Sequence, residues 1–381
     1  VNSIPPFDLS EQYKTLEEEV SAAVLSVLAS GRYINGPVVE QFEQELAAYV
    51  GTTTCVACNS GTDALYLALR AFQIGAGDEV ITTPFTFIAT AEMVSAVGAT
   101  PVFVDVDPQT YNLDLNRIEA AITRRTKAII PVHLFGQPVD MTRLMAIAQA
   151  HNLVVIEDAA QAIGATWGEA KVGSLGHVGC FSFYPTKNLG ACGDGGAVTT
   201  NDEAIAAKIR MLREHGSHTR YFHDELGVTS RLDALQAAIL SIKLRYLDGW
   251  NAKRQAIAQR YHELLQPLPG VVAPQNTSGG EGVWHQYTIR LRSDLESSNL
   301  DALSQYRDRV RHRLQQQGVG SMIYYPVPLH LQKVYASLDY QPGDLPVTEQ
   351  LAHEVLSLPM FPELTVEQQE RVVYALKDSL S

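Results

Sequence analysis

The chain has 381 residues, of which 46% are hydrophobic and 19% charged, and it carries a formal net charge of -13. Such a composition is globular, and the length suits two domains better than one. The acidity argues against a broad nucleic-acid surface, so an anionic ligand would have to be met by local groups such as helix N-termini, backbone N–H groups and individual arginines.

The first residues, Val1 to Pro6, lack a basic stretch followed by an apolar core, so no secretory signal is expected there. No apolar run reaches membrane-spanning length. Cys55 and Cys58 have the spacing of a redox pair or half a zinc site, but nothing supplies the other half. Their apolar setting favours cysteine as a small buried side chain, and no metal site is expected. With Cys180 and Cys192 the usage fits a reducing cytoplasm.

Between about 80 and 200, short β-branched runs alternate with helical stretches. Strands are expected at 80–83, 101–106, 128–132, 153–156, 180–183 and 197–200, and 141–151 reads as a helix. This alternation predicts an α/β fold with a mostly parallel sheet flanked by helices. Helices are then expected at 203–214, at 233–247 and from after Trp250 to about Leu265. Pro267, Pro269, Gly270, Pro274 and Gly279 mark loops. A strand at 283–291, a helix at 303–317 and a partly helical end from Glu349 read as a smaller α+β unit. The expected division is 1–250 for a large domain with an N-terminal arm and 251–381 for a small C-terminal domain.

Three segments carry chemistry. Ser60-Gly61-Thr62 is a small-residue turn before an apolar helix, where free N–H groups and hydroxyls can cradle an anion, although an ordinary capped helix looks the same. Val154-Val155-Ile156-Glu157 runs directly into Asp158, and the carboxyl ends of parallel strands are where α/β sheets bind ligands. A carboxylate there can pair with a protonated pyridine nitrogen, though an acidic helix cap reads alike. Phe181-Ser182-Phe183 leads into the turn Tyr184-Pro185-Thr186-Lys187. A lysine on a turn is usually a solvated charge, but inside a cleft desolvation lowers its pKa and leaves an amine able to attack a carbonyl. A phosphate cradle, a strand-end Asp and a turn lysine are together the protein parts of a pyridoxal 5'-phosphate (PLP) site.

In order and wording these segments resemble the DegT/DnrJ/EryC1/StrS family of sugar aminotransferases, which have the aspartate-aminotransferase fold (PLP fold type I). The resemblance covers nearly the whole chain: residues 31–37, 60–65, 83–90, 132–136, 157–161, 181–190, 230–238 and 324–330. It implies that Lys187 is the Schiff-base lysine and the acid/base of the proton shift, and that Asp158 binds the pyridine nitrogen. It implies further that Gln161 meets the ring hydroxyl, that Gly61, Thr62 and Ser182 hold the phosphate, and that Phe87 stacks on the ring, although a core aromatic would look the same there.

Family members often carry Asn at the position of Thr229, reaching the cofactor phosphate of the neighbouring subunit. Thr229 is shorter and has a single hydrogen to donate, so this contact is in doubt and Arg231 is an alternative source of charge. The resemblance implies a homodimer with sites at the subunit boundary, an amino-acid donor such as glutamate, and a nucleotide-linked keto sugar as acceptor. Ser230-Arg231-Leu232-Asp233 resembles members that aminate C3, so C3 is favoured over C4. Arg32, Tyr33, Tyr325 and His330 are the candidates to face the sugar. A PLP-dependent sugar dehydratase and a non-catalytic regulatory relative are the alternatives, and the presence of Lys187 favours transamination over both.

Overall fold

Seven strands form the main sheet: β1 (Thr54–Cys58), β2 (Glu79–Thr82), β3 (Thr100–Phe103), β4 (Thr126–Ile130), β5 (Val154–Asp158), β6 (Val178–Ser182) and β7 (Gly196–Thr200). Their order across the sheet is β1-β7-β6-β5-β4-β2-β3. Neighbours from β6 to β3 run parallel, and β7 is antiparallel to both β6 and β1. The computed structural model describes residues 3–292 and 299–380.

Helices cover both faces of the sheet. Successive side chains of a strand point to opposite faces, and the core divides accordingly. Cys55, Ala57, Phe181 and Ala197 pack with the helices Pro37–Val50 and Ala234–Leu244. Val56, Cys58, Cys180 and Val198 pack with the helices Gly61–Ala71 and Glu203–Leu212. Cys55 and Cys58 are three residues apart on one strand, so they fall on opposite faces, and the C-x-x-C spacing joins nothing. Burial raises both thiols, Cys58 to about 12. All four cysteines are free.

The remainder of the chain builds a second core. Strands β8 (Val271–Val272), β9 (Tyr287–Leu291) and β10 (Val355–Leu358) form an antiparallel sheet in that order. The helix Leu300–Gln316 is capped by the Asn299 side chain and Val366–Ser379 by a Thr365/Gln368 capping box, and both pack on this sheet. Ile4 is buried in the same cluster, its N–H bonded to the Gly318 carbonyl at 2.8 Å.

The differences from the expected elements have local causes. All five residues of β1 are buried, so it has no alternation to read, and it was not expected. The expected strand at 101–106 ends at Phe103, after which the chain turns and Val106 bridges to Leu113. The strand expected from 283 begins only at Tyr287: Val283 and Trp284 are buried in two different hydrophobic clusters, and His285 and Gln286 line a cavity at the sheet edge. The helix expected at 233–247 stops at Leu244, and the next, Leu247–Leu265, already includes Trp250. Among the described residues no helix is long and apolar enough to cross a membrane.

Candidate active site

Because β1, β4, β5 and β6 run the same way, their carboxyl ends open at one edge of the sheet, together with the start of β7. A cavity of about 450 Å³ lies there, and Gly61, Thr62, Phe87, Asp158, Gln161, Ser182, Lys187 and Tyr325 all line it. Residues separated by more than a hundred positions in sequence are thus brought to one place.

The anion cradle forms where two backbones approach closely. A Cβ on Gly61 would stand 2.7 Å from Ser182 Cβ, and one on Gly196 would stand 2.3 Å from the Ser60 carbonyl carbon. Only glycines let the turn after β1 lie against the end of β6. The Ser60 side chain caps the helix Gly61–Ala71 by accepting from Asp63 N–H at 3.1 Å. The N–H groups of Gly61 and Thr62 belong to the first turn, which an α-helix leaves without internal partners. Ser182 Oγ accepts from Tyr184 N–H at 3.3 Å, so its own hydrogen is available to donate.

Asp158 is 5% exposed. Its Oδ2 accepts from the Thr90 hydroxyl at 2.8 Å and its Oδ1 from Ala160 N–H at 3.2 Å. Burial pushes its carboxyl above the usual range, opposed by those two donors and by the nearby Lys187 and His133. Lys187 is half-buried on the cavity wall. Burial brings its ammonium down to about 8 against the pull of the Asp158 carboxylate. Both shifts have one cause, the low dielectric of the cavity. At neutral pH roughly a tenth of such an amine is unprotonated, against well under a thousandth for an ordinary lysine.

The turn bearing Lys187 is anchored on each side. Lys187 N–H bonds the Tyr184 carbonyl at 2.8 Å, and Lys243 Nζ donates to the Gly190 carbonyl at 2.7 Å. Asn188 Nδ2 donates to Asn251 Oδ1 at 2.8 Å and to the Val283 carbonyl at 3.1 Å. Asn188 Oδ1 is then left to accept from His285 Nδ1, 3.1 Å away. Burial, with Lys187 and Arg254 nearby, holds His285 neutral.

Gln161 is clamped in the cavity floor. Its Oε1 accepts from Phe135 N–H at 2.7 Å, and its Nε2 donates to the Tyr325 hydroxyl at 3.2 Å with a second hydrogen to spare. Phe87 is 58% exposed, with its ring on the cavity rather than in the core.

Four expected site residues do not line this cavity. Thr229 is exposed, its hydroxyl paired with the His215 ring. Arg32 and Tyr33 are exposed, and the Tyr33 hydroxyl bonds the Leu28 carbonyl at 3.2 Å. His330, expected to face the sugar, is buried instead, its Nε2 3.1 Å from Glu349 Oε1. The Glu349 carboxylate also accepts from Gly343 and Leu345 N–H, so it draws His330 away from the cavity into a loop clamp. Arg231 is ion-paired with Glu214 of its own chain at 2.9 Å.

The cavity also contains residues that sequence reasoning missed: Thr86, Thr90, Tyr184, Asp194, His285, Gln286 and Tyr324. Tyr184, Thr86, Thr90 and Tyr324 lie inside motifs already singled out, so the signal was present but unassigned. His285 and Gln286 sit on a strand lead-in about a hundred residues beyond Lys187 and carry no local signature.

The sequence pattern of the DegT/DnrJ/EryC1/StrS aminotransferase family matches residues 14–377. The chain belongs to this family. Its fold is PLP fold type I, and pyridoxal phosphate is the family's cofactor. A protein named pleiotropic regulatory protein, from Geobacillus stearothermophilus, is 50% identical over 97% of both chains. A UDP-N-acetyl-3-dehydro-alpha-D-glucosamine 3-aminotransferase from Acidithiobacillus ferrooxidans is 48% identical, over 99% of this chain and 98% of its own. The crystal structure of S. venezuelae DesV in complex with a ketimine intermediate superposes with a TM-score of 0.94 at 45% identity, covering 99% of this chain and 98% of that one.

The residues present fit the family's cofactor. The glycine-bounded cradle suits a phosphate, the buried carboxylate a ring cation, and the depressed lysine a carbonyl carbon.

Proposed function

We propose that this aminotransferase moves an amino group from an amino acid, glutamate in the first instance, to C3 of a nucleotide-linked keto sugar. The observation that carries the reading is the meeting of Asp158 and Lys187, with burial-shifted pKa values, in one cavity beside the Ser60–Thr62 turn. The substrate class draws on the relatives, one of which is named a 3-aminotransferase of a UDP sugar.

In this reading Gly61, Thr62 and Ser182 hold the cofactor phosphate, Asp158 its ring nitrogen, Gln161 its ring hydroxyl and Phe87 its face. When bound, pyridoxal phosphate supplies an electron-withdrawing ring that spreads the charge left when a proton leaves the carbon beside the transferred nitrogen. Lys187 Nζ takes that proton as a free amine and returns it on the far side of that nitrogen, two bonds away. The same atom reverses the sequence with the sugar, so the kinetics are ping-pong. Asp158 stays anionic so that the ring keeps its charge, and the anchored Asn188 keeps the lysine turn in place. Tyr184, Gln286, Tyr324 and Tyr325 offer the hydroxyls and amide that a sugar requires.

Assembly is a homodimer in this proposal. Thr229, Arg32 and Tyr33 stand exposed outside their own cavity, where a second subunit can be reached. The enzyme works in the cytoplasm, where its nucleotide-sugar substrates are made. The regulator's name borne by one relative favours a second reading, a cofactor-binding protein without turnover. The half-buried, deprotonation-prone Lys187 is what turnover needs and what a regulator does not.

Single-turnover incubation with glutamate and a panel of UDP- and dTDP-linked 3-keto and 4-keto sugars, read by mass spectrometry, tests the proposal. Conversion of a 3-keto sugar to its amine supports it. Loss of ammonia to a deoxy sugar, or no turnover of any keto sugar by loaded protein, overturns it.

A further inference from the structure

The segment after β2 carries Phe87 on the cavity face and two buried hydroxyls beneath it. Thr86 and Thr90 are 4% and 1% exposed, and their Oγ1 atoms are 3.1 Å apart. Thr90 Oγ1 has two acceptors within reach, Asp158 Oδ2 at 2.8 Å and the Phe87 carbonyl at 3.3 Å. The nearer acceptor is the charged one, so Thr90 gives its hydrogen to Asp158. With that hydrogen committed, the contact between the threonines runs in one direction, from Thr86 to Thr90. The result is a two-step donor chain that ends on the carboxylate, each bond polarising the next.

We propose that Thr90, backed by Thr86, is a positioning residue that keeps Asp158 ionised and aimed at the cofactor's ring nitrogen. This rests on the reading of Asp158 given above. The carboxylate lies in surroundings that favour its neutral form, and the groups facing it are few. Lys187 and His133 pull toward the anion, while Cys180 and Tyr325 are buried neutral groups that gain nothing from it. Two hydrogen bonds offset the burial, Ala160 N–H on Oδ1 and Thr90 on Oδ2. They also fix the plane of the carboxylate and leave its remaining lone pairs to the cavity. Without the Thr90 hydrogen, the proton shared between ring nitrogen and Asp158 shifts from the nitrogen to the carboxylate. The ring becomes neutral, while Ala160 N–H stays on Oδ1.

The test loads wild type, Thr90→Val, Thr90→Ser and Thr86→Val with pyridoxal phosphate labelled with nitrogen-15 in the ring. The ring-nitrogen chemical shift is recorded across pH, together with the pH midpoint of the cofactor's visible absorbance. The ring is expected to be protonated in wild type and Thr90→Ser. In Thr90→Val the ring nitrogen should show roughly tenfold lower proton affinity, with the absorbance midpoint moved upward. Thr86→Val moves both in the same direction by less, and supplies the readout if Thr90→Val does not fold. A Thr90→Val protein with wild-type ring protonation and midpoint overturns the role of Thr90 while leaving that of Asp158 intact. An unprotonated ring in wild type overturns the reading of Asp158 and this inference with it.

Discussion

The cavity has two walls of different origin. One is the edge of the seven-stranded sheet, where Ser60–Thr62, Asp158, Ser182 and Lys187 project from strand ends and the turns beside them. The other comes from the second core and its lead-ins, with His285, Gln286, Tyr324 and Tyr325. The first wall holds groups whose protonation is shifted by burial, set on a rigid sheet packed on both faces. The second presents neutral hydroxyls, an amide and an imidazole held uncharged. In the proposed function, reaction chemistry is assigned to the sheet edge and the choice of sugar to the other wall, whose groups can hydrogen-bond hydroxyls without charge.

The largest effect is expected from Lys187→Ala on the first wall. With the proton carrier gone, transamination should fall by about four orders of magnitude in single-turnover assays. A smaller loss, on the order of tenfold, would mean that another group carries the proton. Asp158→Asn should cost about a hundredfold in kcat, because an amide cannot hold a ring cation. The second wall should respond differently. Tyr325→Phe should raise the sugar KM by about tenfold while the half-reaction with the amino acid keeps its rate. Equal damage to both half-reactions would erase the distinction between the walls.

The ionisation of Lys187 offers a pH test with a definite sign. Its folded pKa, about 8, lies below the ordinary lysine value near 10.5, so the unfolded chain binds the extra proton between these two. The cofactor-free protein should therefore gain stability as pH rises from about 8 to 10.5, and Lys187→Met should remove that gain in denaturant titrations. The rate at which cofactor-free protein captures pyridoxal phosphate should rise with pH and reach half its maximum near pH 8. A smaller effect on function is expected from the core. Phe42 and Phe183 meet edge-to-face at 5.5 Å behind the sheet. Phe42→Ala should cost about 3–5 kcal/mol of stability and leave the two half-reactions in the same ratio.

The two walls also differ in how far the sequence announces them. Asp158 and Lys187 are legible because one ends a short apolar strand and the other sits on the turn after such a strand, and a parallel sheet opens its ligand site at just such ends. Ser60-Gly61-Thr62 was readable as a helix start. His285 and Gln286 were not, because their role comes from the second core folding back over the sheet, a contact that no local spacing encodes. Thr86 and Thr90 lay within a recognised segment, yet hydroxyls in a β-branched run look like strand residues until a buried carboxylate is found beside them. His330 is the opposite case: its motif is visible in the sequence, but Glu349, nineteen residues on, claims the side chain. The strand β1 escaped because a strand buried on both faces shows no alternation.

Reduction of the cofactor-loaded protein with borohydride, followed by peptide mass mapping, shows directly whether Lys187 carries the cofactor. One stable pyridoxyl adduct per chain is expected, on the peptide containing Lys187. An adduct on a different lysine, or none at saturating cofactor, would contradict it.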